Sequence, residues 1–231
     1  MITTPQRLMI TPPLENGDRL TRSEFERRYQ AMPHLRKAEL VEGVVYTMSS
    51  PLRIRSHGEP HGNLTGWLWT YKTSTPGTVM GIEPTVRLDA DNEPQPDAVL
   101  FVPGRQASIA EDDYIEGAPE LVIEIAASSA AIDLHDKKRA YRRNGVNEYI
   151  VWRTLENQLD WFSLEADEYV PLVVDEQGIL YSQVFPGLWL DVFALLSGDM
   201  AQVLTVLQKG LATEQHREFM QQLSAESNHN R

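Results

Sequence analysis

The chain has no cysteine, which excludes disulfide staples, thiolate zinc sites and cysteine nucleophiles. Aromatic residues are sparse at 8%, and no apolar run approaches the roughly 20 residues of a membrane-spanning helix. The opening Met1-Ile2-Thr3-Thr4-Pro5 lacks the charged-then-apolar order of a secretory signal. Positive charge is also scarce, with 21 Lys and Arg against 33 Asp and Glu and a net charge of −12. That balance argues against broad, sequence-blind binding to nucleic acid, although a local basic patch can still dock a phosphate backbone. Together these absences lead us to expect a soluble, cytoplasmic protein with no membrane contact.

The 231 residues, 42% of them hydrophobic, suffice for one substantial core with appendages. No internal repeat or low-complexity tract interrupts them. We divide the chain into an N-terminal arm (1–20), a main domain (21–196) and a C-terminal helical extension with a tail (197–231). The arm is rich in Pro, Gly and Asn and reads as extended or loosely packed. Thr21-Arg22-Ser23-Glu24 is a capping box opening a helix that Pro33 ends. Ala38 to Met48 reads as strand, with Gly43 as a turn or bulge. Glu39, between Ala38 and Leu40, is either a solvent-facing strand residue or a functional acid.

Ser56-His57-Gly58-Glu59 is a second capping box, and Leu64, Trp67, Leu68 and Tyr71 form a core-facing helical stripe. His57 and His61, four apart, continue that stripe upstream. Two histidines on one helix face can bind zinc, but the sequence offers no third ligand, so they read as hydrogen-bonded histidines at a helix start. Asp89 to Pro94 is a polar turn without EF-hand spacing. Gly104 to Pro119 reads as an acidic loop. Ser197 is a plausible cap for the amphipathic helix of Met200, Val203, Leu204 and Leu207, which Gly210 ends, and a polar helix from Thr213 fades into the tail.

The chemistry concentrates between Gln95 and Tyr141. Asp97 opens the run Ala98-Val99-Leu100-Phe101. Glu124 sits inside Leu121-Val122-Ile123-Glu124-Ile125-Ala126, a strand apolar on both faces and therefore central in a sheet. A glutamate there is costly unless it is ion-paired or metal-bound. The helix from Ile132 to Asn144, projected at about 100° per residue, turns Asp133, Lys137 and Tyr141 inward with Leu134 and Ala140. Lys138, Arg139, Arg142 and Arg143 face outward as the densest positive patch. Hydrolysis of a phosphodiester needs charge stabilisation on the phosphoryl oxygens and an activated water, and Mg2+ held by carboxylates supplies both. Asp97 and Glu124 can share one ion, with the Ile125 carbonyl as a further ligand, while Lys137 orients the water or neutralises the phosphate.

In this order, Ala38-Glu39-Leu40-Val41-Glu42-Gly43, His57, Gln95-Pro96-Asp97, Val122-Ile123-Glu124-Ile125, Asp133, Lys137, Tyr141 and Gly145-Val146-Asn147-Glu148-Tyr149 resemble the bacterial restriction endonucleases called the Uma-two family. That family lies within the PD-(D/E)xK nuclease superfamily. The resemblance spans roughly residues 15 to 196. It implies an α/β (mixed α+β) fold with a restriction-endonuclease-like core, in which a central mixed β-sheet is flanked by helices. It also implies endonuclease activity on DNA with Mg2+ (or Mn2+) as cofactor. Asp97 and Glu124 would be metal ligands, Glu39 the upstream acid and His57 an auxiliary residue. Two positions depart from the pattern. Ala126 stands where the motif lysine is expected, a role the family moves to the following helix, where Lys137 matches. After Glu148-Tyr149, Arg153 replaces an Asp of many relatives. Because two sites are needed to cut both strands of a duplex, a homodimer is expected. The competing expectation is a catalytically silent relative that binds nucleic acid or a protein partner.

Overall fold

The computed structural model describes residues 11–47, 53–127 and 129–229. The first ten residues of the arm, the expected strand end at Met48, Ser128 and the end of the tail lie outside the described residues. Helix α1 (Arg22–Gln30) leads to the hairpin β1 (Ala38–Val41) and β2 (Val44–Thr47). A π-helical turn (Ile54–Gly58) runs into α2 (Glu59–Ser74), followed by β3 (Val79–Ile82), β4 (Val86–Arg87) and β5 (Ala98–Phe101). Then come β6 (Ala107–Ile109), β7 (Ile115–Gly117) and β8 (Leu121–Ala126). A short α3 (Ala130–Ile132), a second π-helical turn (Asp133–Lys137) and α4 (Lys138–Arg143) form the next connection. Strands β9 (Glu148–Arg153), β10 (Gln158–Glu165), β11 (Glu168–Pro171), β12 (Ile179–Tyr181) and β13 (Trp189–Asp191) follow. Helices α5 (Val192–Ser197), α6 (Met200–Leu211) and α7 (Glu214–His229) complete the chain.

The central sheet has six strands in the order β11-β10-β9-β8-β5-β3. Among the described residues of this sheet only β8 and β9 pair in parallel, joined by the α3–α4 crossover, so the sheet is mixed as expected. Alternation along β8 divides the protein into two layers. Ile123 and Ile125 face the layer of α2, α6 and α7, where Trp67, Leu68, Tyr71, Leu207 and Phe219 pack. Val122 and Ala126 face the layer that holds Tyr141 of α4, with Tyr149 and Val151. Glu124 has the same parity as this second set, which aims its carboxylate at the crossover helices. Trp67 donates to the Trp189 carbonyl at 2.9 Å and Tyr71 to the Pro186 carbonyl at 3.0 Å, tying α2 to the chain's C-terminal part. The terminal helices therefore pack on the chain's own core.

Several local expectations change. Neither proposed capping box forms. Thr21 makes no side-chain cap bond, and Glu24 pairs instead with Arg27 and Arg28, because two guanidiniums outcompete a lone backbone N–H. The residues around Ser56 wind into a π-turn. Glu42 and Gly43 both have positive φ, 52° and 71°, and make the tight β1–β2 turn. The arm's described part is extended but well held. Leu14 is buried, and the Gly17 N–H donates to the Val45 carbonyl at 2.8 Å. The presumed acidic loop contains β6 and β7, which add to β4 in a separate three-stranded sheet. Asp199, rather than Ser197, caps α6, accepting from the Gln202 N–H at 3.1 Å. Gly210 does not end α6. It lies inside the helix where Gly187 and Trp189 press so close that an added Cβ would sit 2.3 Å from the Gly187 carbonyl oxygen.

Candidate active site and metal centre

Glu39 on β1, Glu124 on β8 and Lys137 at the end of the second π-turn meet in the buried layer beside the sheet. Lys137 is 2% exposed and its Nζ lies 2.9 Å from both Glu39 Oε1 and Glu124 Oε1, and 3.7 Å from Asp133 Oδ1. The inward direction expected for Lys137 is realised. It depends on helical continuity from Asp133, one turn earlier on the same face. Tyr141, another turn along, donates to Glu124 Oε1 at 2.8 Å, and Glu39 Oε1 also accepts the Gln95 N–H at 2.7 Å.

Burial works to strip the proton from Lys137, but the charges of Glu124, Glu39 and Asp133 outweigh it, holding the ammonium well above its usual range. Burial pushes Glu124 upward, with Lys137 pulling the other way and Asp133, Asp97 and Glu39 adding to the rise. Burial likewise drives the Tyr141 hydroxyl well above its usual range, with Glu124 adding to it, so it remains a neutral donor.

Asp97 comes immediately before β5, and its charge adds to the upward push on Glu124. Its Oδ2 accepts the Ile125 N–H at 2.6 Å, and Oδ1 faces His57 Nε2 at 3.5 Å. Its backbone carbonyl accepts from the Glu83 N–H and lies 3.1 Å from His61 Nε2. The structure thus brings Glu39, Glu124 and Lys137 into one bonded group and sets Asp97 and His57 against each other. Ile125 is bonded to Asp97 through its N–H. His61 and Glu83 also converge on Asp97. One ligand atom from each of His57, His61, Glu83 and Asp97 lies within 4.8 Å of the others. Glu83 escaped sequence reasoning because it sits in an unremarkable Gly-Ile-Glu-Pro turn, and only the pairing of β3 with β5 carries it to Asp97.

The donor chemistry fits a divalent cation. Three carboxylates (Glu39, Glu124 and Asp133) face one buried lysine, Asp97 adds its charge to theirs, and Glu39 Oε2 is buried without a hydrogen-bond partner. A hard, oxygen-seeking ion neutralises that kind of excess.

The outward basic face of α4 is not free. Arg139 pairs with Glu42 and Asp136, Arg143 with Glu42 and Asp89, and Arg142 with Glu168. Lys138 lies 3.4 Å from the Phe162 ring centre. Arg153 is paired with Asp160 at 2.8 Å. No described helix is long and apolar enough to cross a membrane.

Comparison with known proteins agrees with this architecture. The family model for Uma2, described as "Putative restriction endonuclease", matches residues 22–193. The fold is similar to the crystal structure of a "putative nuclease belonging to DUF820" from Anabaena variabilis ATCC 29413. The TM-score is 0.56 at 16% identity, over 74% of this chain and 97% of that chain. No curated protein matches the chain. The family match runs through the central sheet and takes in Glu39, His57, Asp97, Glu124 and Lys137, and on that evidence this chain belongs to the Uma2 family of restriction-endonuclease-like proteins.

Proposed function

We propose that the protein is a Mg2+- (or Mn2+-) dependent endonuclease that hydrolyses phosphodiester bonds in DNA. The observation that carries this reading is Lys137. It comes from a helix rather than from the strand, yet its ammonium lies 2.9 Å from the Glu124 carboxylate that an adjacent motif lysine would serve. Asp97, Glu124, the Ile125 carbonyl and Glu39 are the residues that would hold the ion. When bound, the ion supplies charge neutralisation at the phosphoryl oxygens and a more acidic water. Lys137 keeps its proton and holds positive charge where a scissile phosphate gains negative charge. Glu39 and Tyr141 fix Lys137 and Glu124 in position, and His57 steadies Asp97 from the solvent side. We further propose a cytoplasmic homodimer, since two sites are needed to cut both strands.

The test is cleavage of supercoiled plasmid with Mg2+ or Mn2+. Asp97→Asn and Glu124→Gln should each lower the rate by at least about 100-fold, the scale for losing a catalytic electrostatic contact, while far-UV circular dichroism stays unchanged. Cleavage that survives EDTA, or that both variants retain, refutes the reading. A second reading, a catalytically silent nucleic-acid- or protein-binding relative, is favoured by the net charge of −12 and by the pairing of the Arg139, Arg142 and Arg143 bases. It predicts no Mg2+ or Mn2+ binding by calorimetry at millimolar concentration.

A further inference from the structure

Beside the carboxylate–lysine group lies a second set of donors of different chemistry. His57 comes from the π-turn before α2, His61 from the first turns of α2, Glu83 from the turn after β3, and Asp97 from the entry to β5. Their ligand atoms all lie within 4.8 Å of one another. The π-turn contributes to this convergence. The Gly58 N–H reaches back five residues to the Arg53 carbonyl at 3.1 Å, and the two imidazoles come to 5.7 Å between ring centres. Single wide turns of this kind inside helices recur at functional sites. Glu83 adopts φ of +49°, a conformation that costs a non-glycine residue on the order of 1 kcal/mol. It also donates its N–H to the Asp97 carbonyl at 3.1 Å. Asp97 is anchored through Oδ2 to the Ile125 N–H, leaving Oδ1 toward the imidazoles.

We propose that His57, His61, Glu83 and Asp97 form a site for a borderline divalent transition-metal ion, with Zn2+ as its reference occupant. Two imidazoles with two carboxylates are a donor set that such ions prefer and that Mg2+ does not. The 4.8 Å spread exceeds the roughly 3.3 Å edge of a tetrahedron with bonds of about 2.0 Å. Glu83 is exposed and the two histidines are half-buried, so these three side chains have room to close on an ion entering from solvent. Asp97 is shared with the proposed Mg2+ position, whereas His61 and Glu83 belong to this site alone. The inference goes beyond the nuclease reading and stands without it.

The test uses the full chain stripped with EDTA. Calorimetric titration with Zn2+ and visible absorption on adding Co2+ should both report one ion per chain, the Co2+ spectrum having the intense bands of a four-coordinate site with nitrogen donors. His61→Ala and Glu83→Gln should each weaken Zn2+ binding by more than about 10-fold, the lower end of what disturbing a metal's supporting shell costs. Glu124→Gln should leave Zn2+ affinity within about 3-fold. Thermal melts of the metal-free variants separate loss of ligand from loss of fold. Absence of Zn2+ binding by the wild-type chain overturns the proposal, as does binding that His61→Ala leaves unchanged. Neither result bears on plasmid cleavage with Mg2+, which remains sensitive to Glu124→Gln if the nuclease reading is right.

Discussion

Replacing Lys137 by Met keeps most of the buried stem and removes the charge. The ammonium lies 2.9 Å from Glu39 Oε1 and from Glu124 Oε1. At an effective dielectric constant of about 20, each contact carries roughly 5–6 kcal/mol of Coulomb attraction. Most of that is cancelled by the cost of desolvating the ions, so it does not appear as net stability. Removing one partner of a buried pair nevertheless costs about 3–5 kcal/mol, because the other partner stays buried and uncompensated. We expect Lys137→Met to fall in that range, measured by urea unfolding near neutral pH with the fluorescence of buried Trp67 and Trp161 as probe. The midpoint should drop with little change in slope. Adding Glu124→Gln removes one of the stranded charges and retains an acceptor for Tyr141. The double variant should therefore be less destabilised than the sum of the singles by more than about 1 kcal/mol. Additivity within about 0.5 kcal/mol, or a single variant as stable as wild type, refutes the reading of Lys137 as the counter-charge of this cluster.

Glu93 is buried beside Glu26, with Arg87 3.8 Å and Arg22 farther off, and burial together with the Glu26 carboxyl pushes it up to about 8. Its folded form thus holds its proton more tightly than its unfolded form, so its contribution is fully present below about 4.5 and is lost as pH rises toward about 8. Glu93→Gln should flatten that decline, seen as a smaller fall in Tm between pH 5 and pH 8. Gly210→Ala forces a Cβ to 2.3 Å from the Gly187 carbonyl oxygen and should cost about 1–3 kcal/mol in urea unfolding. Arg139→Ala with Arg143→Ala should change the salt slope of DNA binding by less than about one unit, because Glu42, Asp89 and Asp136 already engage both side chains. A slope reduced by about two would mean that these arginines contact phosphate.

Periodicity carried much of the fold. The stripe of Leu64, Trp67, Leu68 and Tyr71 lies on α2 and is buried, and the apolar run around Glu124 is a central strand. Short strands carry little local signal: β7 pairs with β4, about 30 residues upstream in sequence, and β6 pairs with β7 in turn, contacts invisible to local patterning. Helix starts failed at the capping boxes for a related reason. Ser, Thr and Glu fit a cap by type, but a competing guanidinium or a widened turn decides whether the bond forms. The basic face of α4 was visible as a patch, but its neutralisation was not, since Glu42 and Asp89 lie far away in sequence.

For the site, the sequence determined which side chains are costly to bury. Glu124 lies among apolar neighbours and Lys137 on an inward helical face, and each demands a partner of opposite charge. Only the tertiary structure decided the pairings, because β1, the central strands and the crossover helix meet through long-range packing. It set Lys137 between Glu39 and Glu124, and it turned Asp97 toward His57, His61 and Glu83. That last grouping depends on a strand pairing and a widened turn, neither of which has a signature in the order of residues.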